Sequence, residues 1–305
     1  MTEGFHRYLR AKRTVDDRAL DRRVVARLRE GLATRAADTT GPLRVLEVGA
    51  GIGTMLARFV DWDVLPTGEI RYTAVDIESA NVDAIPAYLR EWTAESGAAI
   101  SEDPLTVETD DRRIEVDTVT ADAMGYAADA DGYDLLVGAA LLDIVDRDGL
   151  RTLLGSLGPG GHYYFPITFD GATRFRPSHP ADRAVEARYH DHMDRKPGGD
   201  SRAGGDVLDR LRRLDGATLS AVAGSDWVVR PVDGEYPADE AYFLQHILDT
   251  VDGAVREMAG DDFDFDALES WLARRREQVA AAELLYCTHQ LDFLGRVRAP
   301  AVVDS

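Results

Sequence analysis

Residues 45–53 read Val-Leu-Glu-Val-Gly-Ala-Gly-Ile-Gly. The apolar run from Leu43 to Val48 predicts a strand, the glycines at 49, 51 and 53 a turn, and Thr54 to Val60 a helix. Glycine at such a turn lets the backbone approach a ligand, because it takes left-handed conformations at little cost. The N–H groups at the start of the following helix point to the same place. Strand, glycine turn and helix in this order open a sheet whose ligands bind beyond the carboxyl ends of its strands.

Outward from this unit the pattern repeats. Ile70 to Val75 reads as a strand closed by Asp76, and Ala80 to Ala94 as a helix. Leu105–Thr109 and Ile114–Val119 flank Asp110 to Arg113 as the arms of a hairpin, and the second arm ends at Asp122. Tyr133–Gly138 is a further strand, Asp146–Leu157 a helix and His162–Ile167 a strand. This alternation predicts a parallel sheet with crossover helices on both faces. Before it, Val15, Leu20, Val24, Val25, Leu28 and Leu32 fall at helical spacing, which predicts one amphipathic helix over residues 15–36. After it, helices are expected at Ala181–Met193, Asp206–Leu214, Asp239–Val255 and Phe265–Ala281, and strands at Ala217–Val229 and Leu284–Leu294.

The ligand class follows from two positions. A dinucleotide fingerprint G-x-G-x-x-G needs glycine at 54, where Thr54 stands. Glu47, two residues before the first glycine, would repel a pyrophosphate and suits an ammonium or sulfonium group. Glu47 to Gly53 resembles the first motif of the class I S-adenosylmethionine-dependent methyltransferases, an acidic residue followed by G-x-G-x-G.

Ala-Val-Asp76-Ile, Thr-Ala-Asp122-Ala and Tyr133-Asp-Leu-Leu-Val-Gly-Ala139 then match later landmarks of that family in order, and the resemblance covers residues 43–170. It implies an α/β fold, a doubly wound, mostly parallel seven-stranded sheet with helical additions at the N-terminus and in the C-terminal third, and S-adenosyl-L-methionine as cofactor. It implies that Glu47, Gly49, Ala50, Gly51 and Gly53 cradle that cofactor, that Asp76 with Ile77 meets the ribose hydroxyls, that Asp122 and Ala123 meet the adenine, and that Ala139 borders the transferred methyl. It divides the chain into an N-terminal helical lid (1–40), a cofactor-binding domain (41–235 plus 283–298) and a helical insertion (236–282) over the acceptor. Singly, each landmark has a structural alternative: glycine-rich turns are common, Asp76 is a polar strand end and Asp122 a helix cap. Their order carries the reading.

Catalysis leaves a fainter trace. Gly138-Ala-Ala-Leu-Leu-Asp143 lacks the Asn/Asp-Pro-Pro signature of many nucleic-acid and protein amide N-methylases, and Cys287, the single cysteine, lies far from it. Asp143, His162 and His190 are the candidate bases, with helix capping or packing as the alternative for each. Thr14, Asp16 and Asp17 serve either the lid or a helix start, and Tyr236, Tyr242, Phe243 and Trp271 serve either an acceptor pocket or a core.

Charge bounds the partners. Asp and Glu number 55 against 35 Lys and Arg, a net charge of −20, with Lys12 and Lys196 as the two lysines. Such a surface repels phosphate backbones, so a small-molecule acceptor is expected, with no nucleic acid. The acid excess is read as adaptation to a salt-rich cytoplasm. No apolar run approaches the ~20 residues of a membrane span, and a cytoplasmic protein is expected. A non-catalytic S-adenosylmethionine-binding or regulatory protein, and a nicotinamide-dependent oxidoreductase, stand as alternatives. Neither the acceptor nor the oligomeric state is legible.

Overall fold

The computed structural model describes residues 2–145, 149–258 and 263–298. The chain runs α1 (Thr2–Ala19), α2 (Arg22–Asp38), β1 (Leu43–Val48), α3 (Thr54–Asp61), β2 (Gly68–Asp76), α4 (Ser79–Ser96), β3 (Ala99–Glu102), β4 (Leu105–Glu108), β5 (Arg112–Thr120), α5 (Ala123–Asp129) and β6 (Tyr133–Val137). It continues through α6 (Gly149–Gly155), β7 (Leu157–Arg176), α7 (Asp182–Arg195), α8 (Ala203–Arg213), β8 (Ala217–Gly224), β9 (Trp227–Val229), α9 (Glu240–Met258), α10 (Phe265–Ala280) and β10 (Leu285–Val297).

Parallel pairing at the centre follows from strands that are apolar on both faces. β6 is buried throughout, and β1 everywhere but Arg44. Such strands need helices above and below, which crossover connections supply. The sheet order is β3-β4-β5-β2-β1-β6-β7-β10-β8, with β9 paired to β10. β1, β2, β5, β6 and β7 are parallel, and β10 runs antiparallel to β7 and β8. From β1 the chain builds outward to β2 and β5, then returns to add β6 and β7 on the other side. The order therefore reverses at β1/β6, the switch point where doubly wound sheets open a crevice.

The doubly wound α/β arrangement is the expected one, but the sheet has ten strands, not seven. β3 pairs antiparallel with β4 on a mostly exposed edge, so its residues lack the apolar alternation that marks a strand. The strand expected over Ala217–Val229 is two, β8 and β9, both laid on β10. The single helix expected over residues 15–36 is also two. Asp21 is extended and its side chain accepts from the backbone N–H groups of Arg23 and Val24, which caps α2 and separates it from α1, whose last residue is Ala19. The helix expected from Asp146 is present as α6, and positions 146–148 lie outside the described residues.

Three cores result. Val25, Leu28 and Leu32 of α2, Phe59 of α3 and Leu89 of α4 cover one face of β1, β2 and β5. Leu153 and Leu154 of α6 and Leu211 of α8 cover the other face with Leu46, Leu136 and Phe165. A third core joins α1, α7, α9 and α10 to the distal parts of β7, β9 and β10. β7 is 20 residues long and pairs with β6 only as far as Tyr164, while β10 accompanies it to Arg176. Its distal half thus carries the third core beyond the carboxyl ends of the parallel strands. Among the described residues no helix is long and apolar enough to cross a membrane.

Asp21→Ala is expected to lower stability by about 1 kcal/mol through loss of the α2 cap. The check is a lower urea midpoint with an unchanged slope.

Candidate functional site

The site begins at the turn after β1. Gly51 and Gly53 have φ of 55° and 90°, left-handed values that a Cβ disfavours, and Gly53 opens α3 in place of a side-chain cap. The Ala50 N–H donates to the carbonyl of Val75 (3.0 Å), and the Gly51 N–H donates to Asp76 Oδ2 (2.8 Å). The turn is thus bonded to the end of β2.

Asp76 is 8% exposed and fully engaged on one oxygen. Its Oδ1 accepts from the Glu78 N–H (2.9 Å) and from Asn81 Nδ2 (3.1 Å). Asn81 Oδ1 lies 3.2 Å from His6 Nε2 on α1. Ile77, beside Asp76, is 66% exposed, an apolar side chain open at the strand ends. The Ala121 N–H donates to the Asp76 carbonyl (3.0 Å), which brings the end of β5 against the end of β2. Asp122 caps α5, its Oδ2 accepting from the Gly125 N–H (2.8 Å), with Ala123 as the first helical residue. Ala139 follows β6, where the Gly138 N–H and Ala140 N–H donate to the carbonyls of Tyr164 and Pro166. Gly49, Gly51, Asp76, Ile77, Asp122 and Ala139 therefore all stand at the carboxyl ends of adjacent parallel strands.

Glu47 is 2% exposed and accepts from the Tyr72 hydroxyl on β2 (2.6 Å). Burial pushes its carboxyl up to about 7, opposed by the Tyr72 hydrogen bond and the nearby Arg58 guanidinium. Its partner is thus a neighbouring strand.

The candidate bases separate. His162 packs against Gly31 of α2, so close that a Cβ there would meet its Nε2 at 2.6 Å. It lies under the helix layer, not among the strand ends, and burial lowers its imidazole. The reason is register: β7 pairs Leu135 with His162, before the strands end. His190 on α7 meets Thr173 Oγ1 at 3.0 Å and sets its ring edge-on to Phe169, on the distal half of β7. Asp143 lies just past β6. Its Oδ1 is buried without a hydrogen-bond partner, and burial pushes the carboxyl up to about 6.

Three contributors escaped sequence reasoning. Leu9 of α1 rests on the glycine turn, 3.3 Å from where a Cβ on Gly51 would sit, and Leu141 stands 3.4 Å from the same position on Gly49. Asn81 buttresses Asp76. The signal for Leu9 was weak because the apolar spacing of α1 only becomes regular from Val15. Asn81 was visible only as a polar residue in the first turn of a helix.

The helix α1 is held over the turn by buried charge. The Arg58 guanidinium, 1% exposed on α3, donates to Asp17 (2.5 Å) and lies 3.8 Å from Asp16. Glu240, fully buried on α9, receives Arg18 (2.8 Å) and the Thr14 hydroxyl (2.7 Å).

No family model matches the chain, and no curated protein does. Among solved structures it is similar to YjhP from E. coli, at 17% identity and a TM-score of 0.45 over 92% of this chain and 94% of that one. A SAM-dependent methyltransferase from Geobacter sulfurreducens, in complex with S-adenosyl-L-homocysteine, aligns at 15% identity and 0.45 over 92% of each chain. A phosphoethanolamine N-methyltransferase from Haemonchus contortus aligns at 14% and 0.41, over 89% of this chain and 52% of that one.

Between about pH 4.5 and 7 the folded chain holds a proton on Glu47 that the unfolded chain has released. That contribution to stability is complete below 4.5 and lost as pH rises through 7. Glu47→Gln is expected to flatten the fall in melting temperature over this window and to raise stability at pH 8 by on the order of 2 kcal/mol. Thermal unfolding of both proteins across pH 4.5–8 checks it.

Proposed function

We propose that the chain is an S-adenosylmethionine-dependent methyltransferase acting on a small-molecule acceptor by direct in-line methyl transfer. The observation that carries this reading is Asp76: a buried carboxylate at the end of β2, hydrogen-bonded to the N–H of Gly51 and flanked by an exposed Ile77. A carboxylate offers about four acceptor positions. Three are taken here, by Gly51, Glu78 and Asn81. A ribose diol takes the fourth and displaces the Asn81 amide, a flexible side chain and the easiest donor to move. Ile77 then offers an apolar shelf for a purine, with Asp122 and Ala123 on the neighbouring strand end.

The residues also fit a cation. Asp76 supplies a carboxylate beside the turn, and Arg58 and Lys12 are committed to Asp17 and Asp16. S-adenosylmethionine supplies a methyl group on a sulfonium, a leaving group that needs no covalent enzyme intermediate. The chain's part is to hold the acceptor in line and exclude water. Leu9 and Leu141, which close on the glycine turn, serve the second task. In this reading residues 1–40 act as the lid, 41–235 with 283–298 as the cofactor-binding domain, and 236–282 as the cap over the acceptor.

Calorimetric titration with S-adenosylmethionine and S-adenosylhomocysteine is expected to show micromolar binding of both, and no binding of either by folded protein in high salt overturns the reading. Asp76→Ala is expected to weaken binding at least tenfold, since a charge-assisted hydrogen bond contributes about 1.5–3 kcal/mol. Gly51→Val is expected to abolish binding while the far-ultraviolet circular dichroism stays unchanged, because its φ of 55° excludes a branched side chain.

A further inference from the structure

Asp76 has fewer places for donors than a sugar would need. A carboxylate offers about four acceptor positions, and the Gly51 N–H, the Glu78 N–H and Asn81 Nδ2 hold three of them. The first two donors are backbone groups, fixed by the glycine turn and by the start of α4. A diol brings two hydroxyl donors, so one donor has to leave, and Asn81 is the side chain among the three.

What holds Asn81 in place lies on another helix. A carboxylate only accepts, so the Asn81 nitrogen faces Asp76 and its oxygen faces α1. That oxygen lies 3.2 Å from His6 Nε2. An amide oxygen also only accepts, so His6 Nε2 carries the proton and donates. His6, Asn81 and Asp76 thus form one directed chain, from α1 through α4 to the end of β2. Asn81 is 5% exposed, so water does not freely replace either bond.

The segment that carries His6 bridges two helices. Toward α9, Arg7 donates twice to Asp239 (2.7 and 2.8 Å), and the Tyr242 hydroxyl donates to the Gly4 carbonyl (2.9 Å). Toward α4, His6 meets Asn81, and Arg10 donates to Glu91 (2.9 Å). Leu9 of the same segment rests on Gly51. A surface hollow of about 520 Å³, lined by His6, Arg10 and Tyr242, leaves the imidazole room to turn.

Given the methyltransferase reading, which identifies the diol as the cofactor's ribose, we propose that His6 is a positioning residue that sets cofactor affinity. Through Asn81 it opposes the ribose at Asp76, so that sugar binding unfastens the first turns of α1 from α4. A buttress and a competitor differ in sign. If Asn81 only supported Asp76, its loss would weaken binding; as a competitor, its loss strengthens it.

Calorimetric titration of the intact protein with S-adenosylhomocysteine reads that sign. Asn81→Ala is expected to bind about threefold to tenfold tighter than the unsubstituted protein, the size of one net hydrogen bond. His6→Ala is expected to bind tighter by about twofold to fivefold, because the Asn81 amide then turns away more easily. His6→Gln, whose amide nitrogen takes the place of Nε2 and still donates, is expected to restore the original affinity. The double variant is expected to bind no tighter than Asn81→Ala, since His6 acts through Asn81. Amide hydrogen exchange over residues 3–10 is expected to quicken by about threefold when S-adenosylhomocysteine is added to the unsubstituted protein, and to stay unchanged in Asn81→Ala. Weaker binding by either alanine variant, additive effects in the double variant, or slower exchange on ligand addition overturns the proposal. If Asn81→Ala does not fold, His6→Ala and His6→Gln decide it. Failure of S-adenosylhomocysteine to bind the unsubstituted protein overturns the methyltransferase reading, and this competition with it.

Discussion

The hydrogen bond from the Gly51 N–H to Asp76 ties the turn after β1 to the end of β2, next to the bond from the Ala50 N–H to the Val75 carbonyl. β1 and β2 pair in register to Val48 and Val75, and the Ala50 N–H bond to the Val75 carbonyl is the last backbone bond between them. The carboxylate takes over, accepting from the turn after β1 and from the start of α4, so one buried side chain sets where a glycine loop, a strand end and a helix meet. A buried carboxylate with neither these donors nor a ligand would be untenable. The position of every other group at the strand ends, from Ile77 to Asp122, is measured from it.

Charge governs what sits above. Arg58 and Glu240 are buried on different helices, α3 and α9, and both draw their partners from α1. Removing one partner of a buried pair leaves an uncompensated charge, a larger penalty than the pair itself is worth. The C-terminal half of α1 is therefore held in place on both sides, and its N-terminal half, with His6, Tyr8 and Leu9, is carried over the glycine turn. A helix outside the motif region is thus laid on the glycine turn by ion pairs set well away from it.

The length of β7 makes this possible. A strand that ended with β6 at Tyr164 would leave α7, α9 and α10 with no surface to pack on. By running on to Arg176 alongside β10, it lifts an apolar platform past the strand ends, where Ile167 and Phe175 meet Phe243 and Trp271. The platform and α1 pack on each other beyond the strand ends, through Ala11 and Val15.

Much of the sheet was legible because its causes are local. Leu43–Val48 and Tyr133–Val137 are apolar without interruption, which by itself demands a strand covered on both faces, and the glycines at 49, 51 and 53 announce a turn that only they adopt cheaply. Asp76 and Asp122 were readable as strand-end acids from their place in that alternation. Their environments were not, since the Gly51 donor, the Asn81 amide and the α5 cap come from other segments. β3 stayed hidden because an exposed edge strand needs no apolar pattern, and the break at Asp21 because one side chain bonding two backbone N–H groups outweighs the spacing of six apolar residues. His162 and Asp143 show the division most plainly. As sequence they were equal candidates, each a polar residue near a strand. Register placed one under α2, and the fold left the other with a buried oxygen that has no donor, because what a titratable side chain does depends on which distant groups surround it, and only the tertiary fold assembles those.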